Sequence, residues 1–158
     1  MAVPPNYITP TGLRCLTDEA NRLLTLERPR TVREVSAAAA HGDRSDNAEY
    51  RYGKKKLREI DRRLEWLSKR LDAARVVDPA VPRGSKVFFG ATVDLEDADA
   101  EQRTLQLVGE DETDPPAGKV SWRSPIGRAL LGRSAGDEVV VAAPQGARHY
   151  EILAVRYI

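Results

Sequence analysis

The sequence has very little of the side chains on which most enzyme active sites depend. Among 158 residues there are one cysteine and two histidines. The single cysteine, Cys15, excludes an internal disulfide, which fits a reducing compartment. The histidines, His41 and His149, fall in segments that we assign to different domains. The sequence contains no cysteine–histidine metal cluster, no glycine-rich phosphate loop and no nucleophile elbow, so the enzyme classes that use them are excluded.

Long apolar runs are also missing. No stretch approaches the roughly 18 apolar residues that cross a bilayer, and the N-terminus, Met1-Ala2-Val3-Pro4-Pro5, does not resemble a signal peptide. We therefore expect a cytoplasmic protein with no membrane partner. The formal net charge is only +1, but residues 51–75 contain ten basic and four acidic side chains. This imbalance predicts a local contact with a polyanion.

Two long helical patterns fill the first half of the chain. The first begins after an N-cap at Thr9 or Thr11, and Pro29 should kink it or divide it into two segments. Its apolar residues recur at steps of three and four: Leu13, Leu16, Ala20, Leu23, Leu24, Val32, Val35, Ala38 and Ala39. The second, over residues 46–75, carries a heptad seam that only Gly53 interrupts: Tyr50, Leu57, Ile60, Leu64, Leu67, Leu71 and Ala74.

Between these patterns lies a helix stop followed at once by a helix start. Gly42 ends the first helix, and Asp43 or Ser45 begins the second, which predicts an antiparallel hairpin. Asp43 and Asp46 therefore lie at its tip, and two interpretations stay open. The two acids form a helix cap, the commoner case, or they offer oxygen ligands to a hard cation such as Mg²⁺, which often takes only one or two carboxylates.

The second half of the chain has the pattern of a small α+β domain. Residues 79–84 resemble a linker, which divides the chain into a hairpin domain (1–78) and a sheet domain (85–158). One short helix begins at Pro125 with Ser124 as its N-cap. The sheet is expected to be mainly antiparallel, with five strands bounded by turn signals: Lys86–Leu95, Arg103–Val108, Lys119–Trp122, Glu138–Ala142 and His149–Tyr157.

Four segments together resemble one known family. The tip, residues 42–50, and the basic run, residues 54–63, closely resemble the bacterial Gre transcript-cleavage factors, in particular the GreB branch with its denser basic stretch. The segments Lys86–Gly90 and Ser124–Gly132 are similar to segments of the family's second domain. The resemblance extends from about Thr9 to Ile158. It implies an N-terminal antiparallel coiled coil and a C-terminal domain of FK506-binding-protein-like fold.

The resemblance also implies a function and its residues. It implies a monomer that docks at the rim of the RNA polymerase secondary channel, inserts its coiled coil and stimulates cleavage of the backtracked 3′ segment of nascent RNA. It implies that Asp43 and Asp46 are the catalytic tip acids, which share a Mg²⁺ ion with the polymerase; no cofactor is tightly bound. The implied RNA-binding residues are Lys54, Lys55, Lys56, Arg58, Arg62 and Arg63. The implied polymerase-docking residues are Ser124, Pro125, Ile126, Leu130 and Leu131.

Some alternatives stay open at the level of sequence. The family usually has glutamate where this chain has Asp46, which motivates a second hypothesis of a channel-binding regulator that does not stimulate cleavage. The basic run by itself is most often a solvated helix face, and a stand-alone RNA-binding coiled coil is a further alternative. The implied fold suggests a peptidyl-prolyl isomerase, although the second domain has few aromatic side chains to line an apolar pocket. Ile126 and Leu130 are equally compatible with a place in the domain core.

Overall fold

The computed structural model describes residues 5–41 and 47–158, and these residues form two compact units. The helical unit is Leu13–Ala73, and the sheet unit combines Met1–Gly12 with Ala74–Ile158. A helical hairpin followed by a sheet domain, and with it the α+β class, is confirmed. The unit boundary differs from residue 78 because strand β1, Asn6–Ile8, pairs in parallel with β2, Ala74–Val76. This pairing joins the start of the chain to the sheet unit.

The first long helix consists of three consecutive segments. These are α1, Pro10–Arg22, a π-helical segment, Leu23–Glu27, and α2, Arg28–Ala39. Thr9 is the N-cap, since its hydroxyl oxygen accepts a hydrogen bond from Gly12 N at 3.2 Å. The predicted division at Pro29 is confirmed. Pro29 has no backbone N–H, so it cannot donate to the regular helical hydrogen-bond ladder. The backbone N–H of the preceding residue, Arg28, donates to Leu23 O, five residues back, which is the π-helical pattern.

The π-helical segment keeps the buried seam of this helix in register. The buried seam residues are Leu16, Leu23, Thr31 and Ala38, at steps of seven, eight and seven. The step of eight spans the π-helical segment, whose extra residue rotates the following turns. The predicted apolar face is therefore wrong at two positions. Leu24 is 58% exposed and Val32 is 38% exposed, and Thr31 occupies the seam instead.

The second long helix, α3, spans Ala48–Ala73. Its buried residues, Gly53, Ile60 and Leu67, recur at steps of seven, so the heptad seam is confirmed and Gly53 belongs to it. The remaining seam leucines, at positions 57, 64 and 71, are half-buried. Gly53 contacts Val35 of α2, and Glu19 of α1 pairs with Arg63, so the helices run antiparallel. The helix ends before the predicted residue 75 because Ala74–Val76 pairs with β1 as a strand.

The sheet unit contains a five-stranded mixed sheet. Its strands are β3, Thr92–Asp97; β4, Gln102–Val108; β5, Lys119–Ser121; β6, Glu138–Val141; and β7, Arg148–Arg156. Their order is β5-β4-β3-β7-β6, and only the β4–β5 pair is parallel. The five predicted strands are present, but the first begins at Thr92 instead of Lys86. Gly90 has a φ of 89°, so the chain turns there before β3 begins.

Helix α4, Pro125–Leu130, covers part of this sheet. The predicted cap is confirmed: Ser124 Oγ accepts a hydrogen bond from Gly127 N at 3.1 Å. Gly127 allows the helix to approach β5, because a β-carbon there would stand 2.3 Å from Ser121 O. Leu130 joins Val87 and strand residues such as Val93 in the core. Within the described ranges, no helix is long and apolar enough to span a membrane.

Candidate functional site

The tip of the hairpin is described only up to its two edges. Asp43 and Asp46 lie outside the described residues, so their predicted roles remain predictions. At the near edge, Asn47 caps α3. Its side-chain oxygen accepts from Tyr50 N at 3.1 Å, and its amide nitrogen donates to Ala38 O at 2.7 Å. Asn47 therefore holds the N-cap position that we predicted for Asp43 or Ser45, and it also ties α3 to α2.

Directly after this cap, α3 presents an outward basic stripe. We define it as Arg51, Lys55, Arg58 and Arg62, which follow one another at steps of four, three and four. All four side chains are exposed. They lie on the side of α3 away from the buried Gly53 and Ile60, because positions two residues apart on a helix point about 200° apart. The stripe is about 17 Å long, taking roughly 1.5 Å per residue.

The predicted RNA-binding residues differ in whether their charged groups already pair with other groups of the chain. Lys55, Lys56, Arg58 and Arg62 have no ion-pair partner among the residues that the structure describes. The Lys54 ammonium lies 5.8 Å from the centroid of the Tyr50 ring. These cations are available to an external anion, and the outward stripe is their most regular arrangement.

Arg63 differs from the other five because it is held within the helical unit. Its guanidinium donates to both carboxylate oxygens of Glu19, at 2.5 and 2.9 Å, and lies 4.4 Å from the centroid of the Trp66 ring. Arg70 approaches the same ring at 5.8 Å. The hydrogen bond from Arg63 lowers the pKa of Glu19. Arg63, Trp66 and Arg70 are three and four residues apart on one helix, and this spacing predicts the contacts with the ring. The pairing of Glu19 with Arg63 depends on the packing of α1 against α3.

The five predicted docking residues surround α4. Pro125 is exposed, and Ser124, Ile126 and Leu131 are half-buried. Leu130 is fully buried in the core, so it anchors α4 on the sheet and is not itself exposed to a partner. Pro125 is thus the most accessible of the five, and the docking role of these residues stays a prediction.

The same unit contains an aromatic pocket that the sequence pattern did not indicate. A cavity of about 650 Å³ is lined by Tyr7, Phe88, Phe89 and Trp122, with Leu131 and Arg83 at its wall. The expectation of too few aromatics counted only the second half of the chain. Tyr7 comes from β1, and its ring centroid lies 5.7 Å from that of Phe89 and 5.1 Å from that of Trp122. Only the pairing of β1 with β2 brings this ring to the pocket.

Among residues 5–41 and 47–158, no three histidine, cysteine, aspartate or glutamate side chains are placed to hold one metal ion. The only predicted metal ligands, Asp43 and Asp46, lie outside these ranges.

Sequence comparisons identify the class to which this helical hairpin and sheet domain belong, the transcription elongation factors. The family model described as "Transcription elongation factor, N-terminal" matches residues 6–76. The model described as "Transcription elongation factor, GreA/GreB, C-term" matches residues 82–157. The chain belongs to the GreA/GreB family of transcription elongation factors.

Within this family the chain is GreB-like. It is 50% identical over 154 residues to the transcription elongation factor GreB of Neisseria meningitidis serogroup A, covering 97% of this chain and 94% of that protein. The GreB of Yersinia pestis is 51% identical over 152 residues, with coverage of 96% and 89%. A solved structure of Gfh1 from Thermus thermophilus gives a TM-score of 0.43 at 23% identity, with coverage of 97% and 99%.

Proposed function

We propose that this chain binds RNA polymerase at the rim of its secondary channel, inserts the helical hairpin and stimulates the polymerase to cleave backtracked nascent RNA. It acts as an accessory factor, as a monomer in the cytoplasm, and the polymerase performs the hydrolysis. One observation carries the proposal: the outward basic stripe begins four residues after the Asn47 cap, on the helix that follows the acidic tip. The stripe would contact RNA phosphates while the acids reach the site of cleavage.

The donor chemistry of the tip fits a shared Mg²⁺ ion. Carboxylate oxygens are the ligands that Mg²⁺ prefers, and one or two of them suffice when other ligands come from a partner. Asn47 supplies the N-cap of α3 without a carboxylate, so Asp43 and Asp46 are not needed for that purpose. When bound, Mg²⁺ would stabilise charge on the phosphate and activate water. This chain would contribute the two carboxylates alone.

Docking would use the surface around α4. Pro125 is exposed there, and Ser124, Ile126 and Leu131 are partly exposed on a rigid element. Leu130 contributes by holding α4 on the core. The basic stripe belongs to the other unit and shares no residue with this docking surface.

The proposal is tested with a stalled, backtracked elongation complex. The parent chain should release a 3′ RNA fragment, and Asp43→Asn and Asp46→Asn should each reduce that rate by about 100-fold or more. Polymerase binding, measured separately by fluorescence anisotropy, should change little. Raising the Mg²⁺ concentration should partly restore cleavage. Variants that cleave like the parent at limiting Mg²⁺ would contradict the role of the tip acids.

A second candidate function follows from Asp46. Aspartate is one methylene shorter than the glutamate usual in the family, and a displacement of about 1 Å at a reacting centre costs on the order of 100-fold in rate. A chain that binds polymerase but does not stimulate cleavage would act as a channel-binding regulator. In the assay above, the parent chain would then bind the complex without releasing RNA.

Two further candidates each predict an activity without polymerase: a peptidyl-prolyl isomerase and a stand-alone RNA-binding coiled coil. A cavity lined by four rings is compatible with a peptidyl-prolyl isomerase, and an isomerisation assay without polymerase tests that activity directly. A stand-alone RNA-binding role predicts tight, strongly salt-dependent RNA binding without polymerase. Both candidates fail if these two assays show no activity and no binding while cleavage stimulation is present.

A further inference from the structure

Two exposed aromatic side chains of α3 lie beside the outward basic stripe. Tyr52 is 69% exposed and Trp66 is 39% exposed. They are fourteen residues apart, with the exposed Glu59 halfway between them, so the three recur at steps of seven on one side of the helix. The two rings are separated by about 21 Å along α3, taking roughly 1.5 Å per residue.

Both rings lie between the buried seam of α3 and the basic stripe. Tyr52 and Trp66 each come one position before a buried seam residue, so they point about 100° around the helix from the seam. The stripe lies about 200° from the seam, next to the rings. Lys55 of the stripe follows Tyr52 by three residues, and Arg62 precedes Trp66 by four, so each ring has a cation one helical turn away. A strand whose phosphates contact the stripe would therefore bring its bases over the rings.

The Trp66 ring is held in position within the helical unit. The Arg63 guanidinium lies 4.4 Å from the ring centroid and is itself paired with Glu19. Arg70 approaches the same ring at 5.8 Å. With both guanidiniums in place the tryptophan is still 39% exposed, so ring surface remains available to a ligand. A ring that is already ordered loses little conformational freedom on binding, which lowers the cost of association.

The charges around the rings favour a single-stranded nucleic acid as the ligand. Lys55 and Arg62 have no ion-pair partner within the described part of the chain, so both are available to phosphates. Glu59 would repel a phosphate placed between the rings, so the phosphates would follow the stripe and the bases would lie on the aromatic side. A basic track with aromatic side chains beside it is the arrangement by which proteins bind single strands of any sequence.

We propose that Tyr52 and Trp66 stack on two unpaired bases of the backtracked RNA, whose phosphates run along the basic stripe. The inference rests on the proposed function for the source of the strand, and it adds base contacts to the phosphate contacts. Tyr52 is nearer the tip, so it stacks on a base close to the cleaved bond, whereas Trp66 stacks on a base nearer the 3′ end. Because stacking needs no particular base, the two rings respond to the length of the extruded segment and not to its sequence.

The test measures the affinity of the full chain for stalled elongation complexes that differ in the extruded RNA. One series carries a single abasic nucleotide at each position of a long extruded segment, and a second series shortens the segment. Cys15 is exposed and is the only cysteine, so it carries the label for fluorescence anisotropy. The Mg²⁺ concentration is kept too low for cleavage. Removing a stacked base should weaken binding about fivefold or more, at two separate positions of the RNA.

Matched variants assign each base to a ring. Trp66→Phe keeps an aromatic face and should retain both abasic effects, whereas Trp66→Leu keeps only an apolar side chain and should remove the effect at the position nearer the 3′ end. Tyr52→Phe and Tyr52→Leu should differ in the same way at the position nearer the cleaved bond. A segment too short to reach Trp66 should bind the parent and Trp66→Leu equally. Leu24→Ala, at an exposed apolar residue of the first helix, should retain both effects, and circular dichroism checks the fold of every variant.

Three results would overturn the inference. These are the absence of any abasic position that weakens binding, abasic effects that persist in both leucine variants, and leucine variants that weaken binding equally with long, short and abasic segments. The third result would assign the rings to contacts with polymerase itself. Binding to the complex without any dependence on the bases overturns this inference alone, whereas a chain that does not bind the complex contradicts the proposed function and this inference with it.

Discussion

Gly53 of α3 lies so close to Val35 of α2 that a β-carbon on Gly53 would stand 2.7 Å from Val35 Cγ2. The glycine that interrupts the apolar seam in the sequence thus lies where α2 leaves no room for a side chain. A glycine inside a helix costs about 1 kcal/mol relative to alanine. The close packing near the tip offsets that cost.

The first prediction concerns this contact. Gly53→Ala should lower the free energy of unfolding by about 1 kcal/mol, because a β-branched valine has one preferred rotamer in a helix and its methyl group does not move aside. In a Val35→Ala background the same change should instead stabilise the protein by about 1 kcal/mol, the helix-propensity gain. Thermal or urea unfolding of the four proteins measures the coupling. If Gly53→Ala changes the free energy of unfolding equally in the two backgrounds, the contact with Val35 does not contribute to stability.

The second prediction separates the cap from the acids. Asn47→Ala should destabilise the protein by about 1 kcal/mol, because it removes the bond to Tyr50 N and the bond to Ala38 O. Asp43→Ala and Asp46→Ala should change the unfolding midpoint much less. If either aspartate variant is destabilised as strongly as Asn47→Ala, that acid contributes to capping after all.

The third prediction concerns the basic flank. Reversing Lys54, Lys55 and Lys56 to glutamate should weaken cleavage of extensively backtracked RNA. Each lost phosphate contact should lower the slope of log affinity against log salt by roughly one unit or slightly less. Lys69, which pairs with Glu65 at 3.3 Å further along α3, provides the control position: Lys69→Glu should leave both quantities unchanged. An unaltered slope in the triple variant would favour a merely solvated helix face.

The fourth prediction concerns the shorter acid at the tip. Asp46→Glu restores the side chain usual in the family, so it should maintain or increase the rate of stimulated cleavage at limiting Mg²⁺. Asp43→Glu is the matched control, since it lengthens the neighbouring acid without restoring a family residue, and it should not raise the rate. Loss of cleavage in Asp46→Glu would show that the surrounding tip is adapted to aspartate.

The fifth prediction concerns pH. Arg63 lowers the pKa of Glu19 in the folded protein, so the folded state binds fewer protons than the unfolded chain in the interval just below pH 4.5, the ordinary glutamate pKa. The pair's contribution is therefore present above pH 4.5 and is lost as pH falls through the lowered pKa. Glu19→Gln should remove part of the acid dependence of the unfolding temperature. Because the pair is partly exposed, the effect should be small and should shrink in high salt.

Local patterns in the sequence were sufficient for several elements. The heptad steps of α3, the proline that divides the first helix and the Ser124-Pro125 start of α4 depend on neighbours along the chain, and each was predicted. The five strands were also identified by their turn signals. The acidic tip and basic run were sufficient to suggest the family, since both are continuous segments. These features depend on helix periodicity, capping and charge, which are properties of short stretches.

Tertiary structure decided what depends on residues far apart in the chain. The π-helical segment moved Thr31 into the seam in place of Val32, because the register against α3 outweighs the apolar character of a single residue. Asn47 became the cap because Ala38 O, nine positions earlier, accepts its amide. Tyr7 joined Trp122 only because β1 pairs with β2. Sequence alone therefore determined the long helices, the five strands of the main sheet and the family. Long-range packing determined the β1–β2 pair, which side chains are used within the fold and which remain available to partners.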